Sequence, residues 1–255
     1  MKKIIMATFL LPLAILAGNS DAQESGGQNL FAYATYFECS PDAESRADEI
    51  ISSSYKPHYD AAVEQGDIQS WSWMQHFVGG NWRRVLVIVT NNMDSLLDAS
   101  GALGEIISDQ TPEAGRAFSG ICSSHEDYIW QTVAGVGATA ITANRGAAGF
   151  TVYMHCDLDR EERADELFAD VIGPVFDKHV AEGELTSWNW MKQYVGGKYR
   201  RILMMGASDH KTLLSARAAV HADLKDRREK RAVEEVNQIC GEQQDYMWDI
   251  LAQTP

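Results

Sequence analysis

Apolar and polar residues alternate along Phe31 to Glu38 and along Gly149 to His155, and both runs carry β-branched or aromatic side chains, so each predicts a strand. Behind each strand the period lengthens to that of a helix. Ser40-Pro41 supplies a cap and a proline for the first turn, and Ala47, Ile50 and Ile51 recur at helical spacing as far as Pro57, whose counterpart is Pro174. Proline has no N–H to donate, so a break or kink is expected there, with more helix up to Gly66 or Gly183. Two strands then meet at Gly79-Gly80, and again at Gly196-Gly197, as a two-residue hairpin turn requires. Leu96-Leu97 and Leu213-Leu214 open a further helix, and the stretches from Cys122 to Thr132 and from Cys240 to Leu251 read as closing strands. The order is β-α-β-β-α-β, twice over, an α+β pattern of two tandem ferredoxin-like units.

The doubling is written in the residues themselves. Cys39 returns as Cys156, Arg46-Ala47-Asp48-Glu49 as Arg163-Ala164-Asp165-Glu166, and Ser70-Trp71-Ser72-Trp73-Met74 as Ser187-Trp188-Asn189-Trp190-Met191, always 117 residues on. Val78-Gly79-Gly80 with Arg83-Arg84 returns as Val195-Gly196-Gly197 with Arg200-Arg201. Ile121-Cys122, Asp127-Tyr128 and Trp130 return one residue later, as Ile239-Cys240, Asp245-Tyr246 and Trp248, so a single insertion lies between. The repeats are placed at residues 29–133 and 149–252, with a Gly/Ala-rich linker over 134–148.

Met1-Lys2-Lys3, an apolar run from Ile4 to Ala17 and Gly18-Asn19-Ser20-Asp21-Ala22 have the basic, apolar and small-residue order of a secretory signal, residues 1–22, with cleavage after Ala22. The expected location is therefore periplasmic or secreted. The apolar run is shorter than the roughly 20 residues of a membrane span, none of later segments is apolar for that long, and no cysteine stands near the cleavage point to take a lipid. The formal net charge is −14, and losing Lys2, Lys3 and Asp21 with the leader makes it one unit more negative. Such a chain lacks the overall cationic character that nucleic acid or an anionic membrane selects.

Four cysteines in an exported chain read as two disulfides, for which sequence alone allows three pairings. In a β-α-β-β-α-β sheet the first and last strands are antiparallel neighbours, which favours Cys39 with Cys122 and Cys156 with Cys240. Closing loops of that length stabilises each unit by about 4 kcal/mol on the chain-entropy model. A Cys39 to Cys156 bridge and a metal site are the rival readings; no metal site is expected, and no Cys-x-x-Cys motif is present.

Two tandem units of this order with a long central hairpin resemble the dimeric α/β-barrel superfamily, which includes antibiotic-biosynthesis monooxygenase-like, EthD-like and NIPSNAP-like proteins. The resemblance covers nearly all of the chain after the leader. It implies two sheets facing each other within one chain around a cavity, where relatives bind aromatic, polyketide-like or haem ligands. Alternation about Gly79-Gly80 pairs Trp82 with Phe77, Arg84 with Gln75, Leu86 with Trp73 and Ile88 with Trp71 on one face. The second repeat places Trp188, Trp190 and Arg201 likewise. On one reading Trp71, Trp73, Trp188 and Trp190 line the barrel, and Arg84 and Arg201 hold an anionic group of a ligand. On the other the aromatic residues are core and the arginines bridge to Asp or Glu, with Arg46, Asp48 and Glu49 and their repeats forming a solvated or ion-paired helix face.

None of the seven histidines recurs between the repeats. An active site confined to one half of a duplicated barrel has that signature, and so has a scattering of surface histidines; His76, His125 and His155 are the candidates for catalysis. No nucleophile elbow, phosphate-cradling loop or His-Glu-x-x-His motif occurs. Three functions fit. A binding protein for a small apolar or aromatic molecule, the favoured reading, requires a cavity with few titratable groups. A barrel enzyme, a cofactor-free oxygenase or isomerase or a haem protein, requires a histidine in the cavity. An interaction module requires tryptophans that pack the interface solid. No cofactor is indicated by the residues themselves, haem being admitted by the resemblance, and further self-association is left open.

Overall fold

The computed structural model describes residues 30–136 and 146–254. The expected leader and the middle of the expected linker lie outside them. The first half runs β1 (Phe31–Glu38), α1 (Glu44–Ile50), α2 (Lys56–Gln65), β2 (Ser70–Val78), β3 (Arg84–Thr90), α3 (Met93–Gln110), α4 (Pro112–Ile121) and β4 (Ser124–Val136). The second repeats it as β5 (Ala148–His155), α5 (Glu161–Leu167), α6 (Gly173–Ala181), β6 (Ser187–Val195), β7 (Arg201–Ala207), α7 (His210–Asp223), α8 (Arg227–Ile239) and β8 (Glu242–Gln253).

Eight strands close into one antiparallel barrel in the order β1-β3-β2-β8-β5-β7-β6-β4. Each half contributes four neighbouring strands in the same internal order, and the halves meet at β2 with β8 and at β4 with β6. Both meeting seams carry irregularities in register. The helices cover the outside, so every strand has two buried faces. Outward residues such as Trp71, Trp73 and Ile88 join the helices of the first half in one core, and their repeats form a second. Inward residues make the third, between the halves.

The proline expected to break each long helix is instead absorbed. Residues Ile51–Tyr55 and Phe168–Ile172 form a π-helical turn in which the Lys56 or Gly173 N–H reaches the carbonyl five residues back. The wider turn carries the helix past a residue that has no N–H and whose ring would strike the carbonyl four residues before it. Helices α4 and α8 were not expected from the sequence. Pro112 sits in the first turn of α4, and Ala232, Val236 and Ile239 form the buried stripe of α8. The disulfides link Cys39 to Cys122 and Cys156 to Cys240, where α4 and α8 hand over to β4 and β8. Strand β4 runs on to Val136, into the stretch expected to be linker.

The hairpin register is as the alternation predicts, with Trp71 opposite Ile88, Trp73 opposite Leu86 and Gln75 opposite Arg84. Its tip is not a two-residue turn. The ladder ends at Arg84, and Trp82, expected to pair with exposed Phe77, swings into the barrel to stack on Tyr36 at 4.2 Å between ring centroids. Gly79 has φ +145°, and a Cβ there would stand 2.5 Å from the Tyr246 ring; Gly196, at φ +152°, has the same relation to Tyr128. Each glycine tip thus seats on a tyrosine of the other half, a close approach that only glycine permits.

Candidate functional site

The residues expected to line the barrel lie on its outer face. Trp71, Trp73, Trp188 and Trp190 are buried beneath the helices, and each indole N–H donates to a helix carboxylate: Asp60, Asp48, Asp177 and Asp165, at 2.8 to 2.9 Å. Arg84 donates from Nε and Nη2 to Asp48, both at 2.7 Å, and from Nη1 to Glu44 at 3.0 Å. Arg201 does the same with Asp165 and Glu161. Burial alone would raise the Glu44 and Glu161 carboxyls, but hydrogen bonds and charge from Arg83 and Arg84, or Arg200 and Arg201, hold them below the usual range. The arginines are occupied as ion-pair partners, and Arg46 pairs with Glu49 in solvent.

The three candidate histidines do not converge. His76 accepts from Arg83 Nη1 at 2.9 Å and faces the Gly79 backbone, which is the task Gln193 performs for Arg200 and Gly197 in the second half. Burial and the Arg83 charge hold its pKa down. His125 is exposed beside Asp127, and His155 packs against the Tyr199 ring.

Inside the barrel one end is filled by rings. Tyr36, Trp82, Tyr128, Tyr153, Tyr199 and Tyr246 pack with Trp130 and Trp248, joined across the halves by stacked pairs such as Trp82 on Tyr246. Trp130 donates to the Tyr36 hydroxyl at 3.2 Å and Trp248 to Thr151 at 2.9 Å, so the polar atoms of this plug are largely met from within. Burial lifts the Tyr36 and Tyr153 hydroxyls far above their ordinary pKa and pushes Tyr128 and Tyr246 up to about 12. The other end keeps a cavity of about 150 Å³ lined by residues including Met74, Met191, Met204, Trp248, Asn189 and Thr151, with no ionisable side chain.

A second preformed pocket, of about 130 Å³, lies between sheet and helices in the second half. Val152, Met154, Leu203 and Met205 make its floor, Phe168, Phe176 and Val236 its walls, and Arg217 and His221 of α7 its polar edge. They stand one helical turn apart, as residues four apart on a helix do. Arg217 lies over the Phe150 ring at 4.7 Å and reaches within 3.9 Å of Asp245. Burial raises the Asp245 carboxyl, only partly offset by the charges of Arg217 and His221. Its Oδ1 is buried and meets no donor. His221 is exposed at the pocket's rim, and partial burial with the charges of Arg217 and Lys225 lowers its pKa against the opposing charge of Asp245. In the first half the same place, about 180 Å³, holds Ser100 and Gly104, and Asp127 is hydrogen-bonded by Tyr33.

Apolar walls with a guanidinium and an imidazole at one edge suit a small ring carrying a polar group. Sequence reasoning missed this constellation because Arg217 and His221 are a lone pair on an otherwise ordinary helix. The legible signal was the contrast with Ser100 and Gly104 beside an aspartate, Asp127 or Asp245, that both halves share.

No protein-family model matches the chain, and no curated protein matches it. Solved structures do. A candidate monooxygenase from Lactobacillus acidophilus superposes with a TM-score of 0.62 at 7% identity, over 89% of this chain and 96% of that one. Another from Fusobacterium nucleatum gives 0.61 at 11%, over 89% and 95%. An anthrone oxidase-like protein gives 0.57 at 12%, over 90% and 94%. At such identities the likeness is one of fold. The chain has the closed eight-stranded barrel fold of these structures, with both four-stranded halves supplied by one polypeptide.

Proposed function

We propose that this is an exported barrel protein, built of two ferredoxin-like units, that binds a small, largely apolar or aromatic molecule bearing a hydroxyl or acidic group in the pocket beneath α7 and α8. The observation that carries the reading is the pairing of Arg217 and His221 with Asp245 at the edge of an apolar pocket in one half only. Arg217 supplies charge for an acidic group, and His221 offers a ring nitrogen to a hydroxyl. Cavities of this order, about 150 Å³, hold a single aromatic ring. Two disulfides fit an oxidising compartment, and no described helix is long and apolar enough to cross a membrane.

His221 held low and Asp245 held high are displaced toward each other, the arrangement that lets one site accept and return a proton. A cofactor-free proton abstraction from a bound phenol, with His221 as the acceptor, is the chemistry these groups would support. A second reading puts the ligand in the barrel itself, where the cavity of about 150 Å³ without ionisable groups suits a small neutral molecule. Crystals soaked in 4-bromophenol separate the two by the anomalous signal of bromine. Density under α7 and α8 supports the first reading, density beside Trp248 the second, and density in neither place overturns both.

A further inference from the structure

The first turns of α8 carry Lys225-Asp226-Arg227-Arg228-Glu229-Lys230-Arg231, a concentration of cations in a chain of net charge −14. Arg227, Arg228 and Arg231 face a groove of about 460 Å³ between α8 and the α5 region, floored by Leu167, Val171 and Ala232. The groove lies on the far side of α8 from the pocket described above, sharing no lining residue with it. Arg163 at its edge is spent on Glu235 and Glu166, at 2.8 and 3.0 Å. Arg228 donates only to the Asp170 carbonyl, at 3.3 Å, and among the described residues no carboxylate lies within ion-pairing distance of Arg227, Arg228 or Arg231.

This arrangement costs stability. Arg227 and Arg228 in the first turn of α8 oppose the helix macrodipole, and with Arg231 the three neighbouring guanidiniums repel one another. The other half shows that the fold does not require them: the first turn of α4 opens on Pro112 and Glu113, with no cation. An unpaired arginine cluster around a concave, partly apolar groove, unfavourable to the helix that bears it and without a match on α4, is complementary to a multiply charged anion.

We propose that this groove binds a soluble small molecule carrying two or more phosphate groups, with Arg227 and Arg231, one helical turn apart, each taking one of them. The net charge of the chain disfavours approach to an extended anionic surface, and the concavity favours a compact guest. The test is calorimetric titration of the full chain with inorganic tripolyphosphate at low ionic strength, beside vesicles of phosphatidylglycerol in a co-sedimentation arm. The expected result is saturable binding of tripolyphosphate that weakens at least tenfold in Arg227→Gln with Arg231→Gln, weakens steeply with added salt, and is unchanged in Arg116→Gln on α4. The exchange Arg227→Asp with Arg231→Glu, which reverses the charge of the groove and removes cations opposed to the helix dipole, should abolish binding without lowering the thermal midpoint. Absence of saturable binding, equal binding by the double variants, or vesicle binding that these variants lose overturns the proposal.

Discussion

The two halves of this barrel solve the same structural problem with the same residues and then differ in the helices laid over them. Arg84 with Asp48 and Glu44 is matched atom for atom by Arg201 with Asp165 and Glu161, and the tryptophan N–H bonds to aspartates recur at identical sequence separations. Over the sheet, by contrast, Ser100 and Gly104 face Arg217 and His221 as counterparts, and Ala62 corresponds to buried His179, whose ring bridges Glu184 and Asp223. The repeated residues either have partners inside the repeat, as Arg84 has Asp48, or meet the equivalent residue across the barrel, as Gly79 meets Tyr246 and Gly196 meets Tyr128. The differing ones stand where a helix meets a pocket or solvent, and there the second half gathers charge that its own packing does not need.

That contrast breaks first where the scaffold is attacked. Arg84→Ala and Arg201→Ala each strand buried carboxylates and should cost about 3 to 5 kcal/mol in urea unfolding. The two losses should be alike, and a marked inequality would show that the halves are not equivalently built. Replacing Cys39 and Cys122, or Cys156 and Cys240, by serine should cost about 2 to 5 kcal/mol, with reduction of the wild-type protein reproducing the loss. Gly79→Ala and Gly196→Ala force a side chain into a tyrosine of the other half at a backbone angle it rarely adopts, for about 1 to 3 kcal/mol, read as a lower thermal midpoint.

Much of this scaffold was legible beforehand because it is short-range. Alternation gave the strands and the hairpin register, the glycine pairs marked where each hairpin reverses though not its turn type, and the repeat gave the twofold plan. Which face of the hairpin looks inward was not legible, since alternation sorts Trp71, Trp73 and Arg84 onto one side without saying which side is the lumen. The decisive facts were the helix carboxylates Asp48 and Glu44, whose contact with Arg84 is long-range. The same reason hid the site: His221 and Arg217 acquire meaning only beside Asp245, which arrives from the last strand.

Smaller effects sharpen the comparison. Returning Arg217→Ser and His221→Gly to the residues of the first half should change stability by no more than about 0.5 kcal/mol, because neither side chain fills the core. Asp245→Asn should act through pH. The folded-state pKa of Asp245 is raised, so the folded protein holds that proton more tightly than the unfolded chain, and stability is lost as pH rises from about 3.8 through the folded value. The variant should therefore match wild type in acid and be slightly more stable than it above that window, as thermal melts across pH would record.

The most direct measurement of the central claim is isothermal titration of wild type and of the Arg217→Ser, His221→Gly double variant with 4-hydroxybenzoate, whose hydroxyl and carboxylate match the two ends of the site. The account predicts one equivalent bound by wild type and at least a tenfold loss in the variant with its fold intact. Equal binding by both proteins would contradict it, and would move the ligand away from the pocket beneath α7 and α8.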